Sequence, residues 1–251
     1  MHTYLIAAPL LFVAVLSLLE TGRALAARRR APGKDDGLSA IDGAVFGLMG
    51  LLIAFTFSGA AQRFEQRRQL IVQEANAIGT AWLRVDLLPA GAQPAIRQDF
   101  RDYVDARLGF YRNLPVDAQT AAVQMQRANR LQGRLWAQTV AACRTGCANP
   151  AITLPLTALN EMIDITTTRA AALETHPPKI IYEVLILLVL VSSLLAGYGM
   201  GGARSWVHTL VYAAVLTLTV YVTVDLEYPR LGLIRVDSAD HLLMDVRAGM
   251  Q

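Results

Sequence analysis

No charged residue occurs between Asp42 and Arg63. The run GAVFGLMGLLIAFTFSGAAQ, Gly43 to Gln62, is as long as a helix needs to cross a hydrocarbon layer about 30 Å thick. A helix satisfies its backbone polar groups within the segment, as that layer requires, and a run of this length is twice what a spanning strand of about 9–11 residues needs. The chain then turns polar without a break, as RFEQRRQLIVQEANAIGTAWLRVD, and meets no proline before Pro89. Within that stretch Leu70, Ala77 and Arg84 repeat at seven, as do Ile71, Ile78 and Val85, and mark an inward stripe. Gly43 to Asp86 therefore reads as one helix that leaves a bilayer and continues into water.

The rest of the chain is placed by that helix. An apolar first span at about 3–19 precedes it, separated by the polar turn APGKDDGLS. Ala24-Leu25-Ala26 resembles a signal-peptidase site, but no Lys or Arg precedes the apolar run and Arg28, Arg29 and Arg30 follow it. That polarity is wrong for a signal peptide, so a retained helix is expected. Further uncharged runs at about 184–203 and 206–224 are joined by Arg204-Ser205, a turn so short that the two spans must be antiparallel neighbours. Between the hairpins, helices are expected at about Pro94 to Asn113, Asp117 to Ala142 and Leu154 to Glu174, with no long period-two alternation that would argue for a sheet. The expected fold is an all-α membrane protein with four transmembrane helices and a helical polar insert between the second and third. The divisions are 1–61 (spans 3–19 and 43–62), 62–179 for the polar domain, and 180–224 for the second hairpin. A polar tail, 225–251, is expected to pack on the helical domain. On the second span Gly43, Gly47, Gly50, Ala54, Ser58 and Ala61 form a small-residue face suited to close helix approach in lipid.

Composition agrees with alternation of spans and a polar domain. Hydrophobic residues make up 54% and charged residues 17%, more apolar than ordinary soluble domains. A net charge of +3 does not suggest nucleic-acid binding. Cys143 and Cys147 lie in CRTGC with no histidine cluster, which is too few ligands for zinc. A local disulfide and two separate thiols both fit that spacing. The histidines are scattered, and no nucleotide loop, metalloprotease helix or nucleophile elbow is present. No enzyme activity, metal or cofactor is therefore expected. Glu74, Asn76 and Asp86 read as solvated or arginine-paired groups on the long helix rather than as a catalytic set.

The membrane edge is more informative. Arg63, Arg67 and Arg68, with Phe64 and Glu65, crowd the exit of the second span as a basic collar. They either pair with carboxylates of the tail (Asp225, Glu227, Asp237, Asp240) or remain available to attract anions. Charge counting does not orient the chain. The short loops carry six basic residues (Arg23, Arg28, Arg29, Arg30, Lys34, Arg204) and the domain side seven (Arg63, Arg67, Arg68, Arg169, Lys179, Arg230, Arg235).

Two segments, EANAIGTAWLRVDLLP at Glu74 to Pro89 and DLEYPRLGLIRV at Asp225 to Val236, resemble the bestrophin-like membrane family, formerly catalogued only as a domain of unknown function. The likeness covers nearly the whole chain, including its layout of two spans, helical insert, two spans and tail. LLIAFTFSGAAQRFEQRR further resembles the pore helix of bestrophins, which are pentameric anion channels. The resemblance implies a homo-oligomer, five subunits around one axis, in the cell (inner) membrane with the helical domain cytoplasmic. It implies a second helix lining the pore, a hydrophobic neck at Leu51 and Phe55, and a collar of Arg63, Arg67 and Arg68 that concentrates small anions. The bestrophin tryptophan pair is replaced by Phe64-Glu65, and no acidic calcium clasp is present, so calcium gating is not implied. The alternative is a membrane-anchored sensor or scaffold whose helical insert binds a ligand or partner protein.

Overall fold

The computed structural model describes residues 2–29, 36–114, 116–146, 153–200, 205–230, 232–236 and 240–251. Arg30, Lys34, Cys147, Arg204 and Asp237 of the sequence reading lie outside these, and so does the pairing of the two cysteines. Among the described residues the chain is all-helical: α1 (His2–Arg29), α2 (Asp36–Leu83), α3 (Gln93–Asn113), α4 (Ala118–Gly146), α5 (Thr153–Glu174), α6 (Lys179–Met200), α7 (Trp206–Glu227) and α8 (His241–Ala248). Four of these helices, α1, α2, α6 and α7, are long and apolar enough to cross a membrane.

Three helix ends differ from expectation. α1 runs on to Arg29 because Glu20 does not break it: its carboxylate accepts a hydrogen bond from Arg23 one turn later at 2.9 Å. α2 begins at Asp36, so Gly37, Leu38 and Ser39 are its first turn rather than a loop. At its other end the α-helix stops at Leu83 and tightens into a 3-10 turn, Arg84–Leu87. Leu88 is extended (φ −85°, ψ 156°) because Pro89 disfavours helical geometry in the residue before it.

The chain divides into two units, Met1–Phe64 with His176–Ile234, and Glu65–Thr175 with Arg235–Gln251. The first unit holds α1, α6, α7 and the first part of α2 around Val15, Leu19, Met49, Leu185, Val189 and Ala213. Its tightest crossing is made by two glycines. A Cβ on Gly22 would lie 2.1 Å from the Leu194 carbonyl oxygen, and one on Gly197 would lie 2.1 Å from that of Leu19. α1 and α6 therefore touch backbone to backbone, as small residues allow in lipid. The glycines on the small face of α2 do not do this: among the described residues nothing lies within 4 Å of where a Cβ would sit on Gly43, Gly47 or Gly50.

The second unit is a helical bundle of the later part of α2, α3, α4, α5 and α8. Its core includes Ile78, Trp82, Phe100, Tyr103, Leu135, Met162 and Leu243. Trp82 meets Phe100 edge-on at 6.0 Å, and the Arg97 guanidinium lies 4.5 Å from the Trp82 ring centroid while pairing with Asp86. α8 is tied to α3 by Arg247, which donates to Asp105 at 2.8 and 3.1 Å.

Candidate functional site

α2 is 48 residues long. At about 1.5 Å per residue it extends roughly 72 Å, more than twice the thickness of a hydrocarbon core of about 30 Å. Its two sides have opposite characters. Met49, Thr56, Ala60, Arg67, Leu70, Ile71 and Glu74 are buried, and their helical positions fall along one side. The opposite side is bare. Leu48 is 54% exposed, Leu51 52% and Phe55 67%. The apolar stretch of α2 is the least buried of the four candidate spans. The two residues of the candidate neck therefore share an apolar face that stays exposed among the described residues.

The three arginines of the expected collar have different partners. Arg63 donates from Nε to Oε1 of Glu227 at 2.7 Å and pairs with the same oxygen through Nη2. Glu227 is 1% exposed, and His176 approaches its other oxygen at 3.5 Å while stacking on Tyr228 at 4.9 Å. Arg67 is buried and donates to the carbonyls of Ala172 (3.0 Å) and Thr175 (2.9 Å). It therefore caps the last turn of α5, where a cation suits the negative end of the helix dipole. Arg68 is half exposed and pairs with Glu65 at 2.9 Å. Neck and collar also lie on different sides of the helix. At about 100° per residue, Arg63 is about 80° from Phe55, Arg67 about 120° and Arg68 about 140° the other way.

Further along α2, Glu74 is fully buried and bound from three directions. Arg107 donates to Oε1 at 2.6 Å, Tyr111 to Oε2 at 3.2 Å, and Arg169 pairs with Oε2. The Arg169 guanidinium lies 4.0 Å from the Tyr111 ring centroid. Burial alone would raise the Glu74 pKa, but the two guanidinium groups outweigh it and hold the carboxyl below its ordinary value. Burial raises Tyr111 above the usual phenol range, so it stays a neutral donor. Asn76 is exposed and Asp86 pairs with Arg97, as a solvated and paired set requires. Arg107 and Arg169 went unrecognised in the sequence as partners of Glu74. The burial of Glu74 did have a signal, since it stands on the Leu70–Ile78 stripe at four-residue steps.

The motif after α7 is also built around a carboxylate. Asp225 accepts backbone hydrogen bonds from Leu233 (3.0 Å) and Ile234 (2.8 Å). A Cβ on Gly232 would lie 1.6 Å from its Oδ1, so only glycine lets the chain turn around that group. Among the described residues no cluster of three or more His, Cys, Asp or Glu could hold a metal ion.

Four candidate spans and a helical polar unit define a multi-pass helical membrane protein. The bestrophin-like domain matches residues 9–240, and the chain belongs to that family. Solved structures agree. A crystal structure of a bacterial bestrophin homologue from Klebsiella pneumoniae, a point variant, superposes with a TM-score of 0.72 at 13% identity, covering 97% of this chain and 98% of that one. A second structure of a bestrophin homologue from the same organism, solved by zinc phasing, gives 0.67 at 14% identity, covering 98% of each. A crystal structure of a membrane protein point variant gives 0.69 at 13% identity, covering 95% of this chain and 98% of that one. Among curated proteins none matches the chain.

Proposed function

We propose that the protein is a bestrophin-like homo-oligomeric channel, five copies around one axis, passing small anions through a pore lined by α2. It sits in the cell (inner) membrane with the polar unit in the cytoplasm. The observation that carries this reading is the uncovered apolar side of α2 at Leu51 and Phe55 in a chain of this family. A bulky apolar side that its own subunit leaves bare is what a helix facing a shared axis needs. Leu51 and Phe55 form the neck, and a hydrophobic constriction of this kind gates by dewetting. Arg63, Arg67 and Arg68 contribute positive potential at the membrane edge, with Arg68 the member most open to water.

The test is reconstitution. Purified protein in liposomes should conduct chloride, and Phe55→Ala should raise the conductance by widening the neck. A well-folded oligomer that passes no current would overturn the reading. A stable monomer or dimer in mild detergent would favour a sensor or scaffold instead.

A further inference from the structure

Below the apolar neck, the exposed side of α2 changes chemistry in one step. Gln62, Gln66, Gln69, Gln73 and Asn76 follow one another at intervals of four, three, four and three residues, and all are exposed. At about 100° per residue the four glutamines fall within about 40° of the direction of Phe55, and Asn76 within about 60°. Among the described residues none of the five makes a side-chain hydrogen bond within the chain.

The absence of charge on this line is informative. The exposed polar part of α2 carries only Glu65 and Arg68 as charged groups, and they pair with each other. By contrast the exposed side of α4 carries Arg127, Arg130, Arg134 and Arg144. On α4 the exposed amides are interspersed with those charges, whereas the line on α2 offers amides alone. Each amide presents two N–H donors and a carbonyl acceptor and cannot titrate. Such a surface replaces part of an ion's hydration shell without trapping the ion, which a row of unpaired arginines would do.

Resting on the channel reading, we propose that Gln66, Gln69, Gln73 and Asn76 form the ion-contacting wall of the pathway beyond the neck. Their amide N–H groups donate to the passing anion. Discrimination by charge on this wall comes from oriented dipoles, so a single introduced charge per subunit dominates it.

The experiment measures reversal potentials of the full-length protein in liposomes or planar bilayers under a potassium chloride gradient. Gln69→Glu and Gln73→Glu should each lower the chloride-to-potassium permeability ratio several-fold, and Gln69→Arg should raise it. Thr167→Glu, which adds the same charge on the exposed side of α5, should leave it unchanged. To avoid folding defects, Gln69→Cys is assembled first and then treated with a negatively charged thiosulfonate reagent. The reagent should lower the ratio in this variant and not in the wild type. Currents with unaltered ratios in all the Gln69 and Gln73 variants would overturn the amide wall and leave the channel standing. Folded wild-type oligomer without current would overturn both.

Discussion

Glu74→Gln isolates the buried charge at the centre of the polar unit. The substitution keeps the volume and most of the shape of a side chain that is 0% exposed. It removes the only carboxylate that Arg107 and Arg169 pair with among the described residues, and these are 1% and 6% exposed. Removing one partner of a buried ion pair costs about 3–5 kcal/mol, because the remaining charges stay desolvated. Set against a total stability of about 5–15 kcal/mol, that loss is large enough to move an unfolding midpoint plainly. Urea unfolding of the detergent-solubilised protein, followed by tryptophan fluorescence with Trp82 and Trp136 reporting on this unit, is a direct assay. The pH dependence has a definite sign. The folded Glu74 pKa lies below its unfolded value, so the stabilisation is complete above the unfolded value of about 4.3 and is lost as pH falls through the folded one. The gap between wild type and Glu74→Gln should therefore stay constant from pH 8 to about pH 5 and close only in stronger acid. Replacing Glu74, Arg107 and Arg169 together by apolar residues should recover most of the loss. An unchanged midpoint in Glu74→Gln at neutral pH would refute the account of this cluster.

Gly197→Ala should destabilise the α1–α6 crossing by about 1–3 kcal/mol, since its Cβ would press on the Leu19 backbone; the retained fraction of monodisperse protein after heating in detergent checks this. Arg67→Gln should cost about 1.5–3 kcal/mol by freeing the carbonyls at the end of α5, whereas Arg68→Gln should stay within about 0.5 kcal/mol, both measured by the same urea titration. Gly232→Ala should disrupt the turn that Asp225 holds, and faster amide hydrogen exchange at Leu233 and Ile234 is the expected sign.

The spans were legible because charge is excluded from hydrocarbon, and stretches such as Gly43 to Gln62 contain none. The continuity of α2 was legible because nothing in it stops a helix before Pro89. What the sequence left unread were relations between elements. Gly22 and Gly197 meet across α1 and α6, yet neither stands out in its own segment, while the more conspicuous Gly43, Gly47 and Gly50 of α2 pack on nothing among the described residues. Spacing within one helix tells which residues share a face, not what that face meets. For the same reason the burial of Glu74 could be read from Leu70 and Ile78, but not its partners 33 and 95 residues away. The collar illustrates the limit from the other side. Arg63, Arg67 and Arg68 are neighbours in sequence, but helical geometry sends them in different directions and to different partners.

That divergence gives α2 a division of labour between its sides. The ionisable groups on its buried side are each matched: Arg63 with Glu227, Arg67 with the end of α5, Glu74 with Arg107 and Arg169. Such matching fixes the rotation of the helix about its own axis, because turning it by one residue would strand buried charges at a cost of several kcal/mol each, roughly. A fixed rotation is what allows the bare side to present Leu51, Phe55 and the amides in a constant order. Substitutions on the buried side should therefore change stability first. Those on the bare side should change conductance and selectivity while leaving the unfolding midpoint within about 0.5 kcal/mol of wild type. Variants of α2 scored for both properties should fall into two groups by their position around the helix rather than along it.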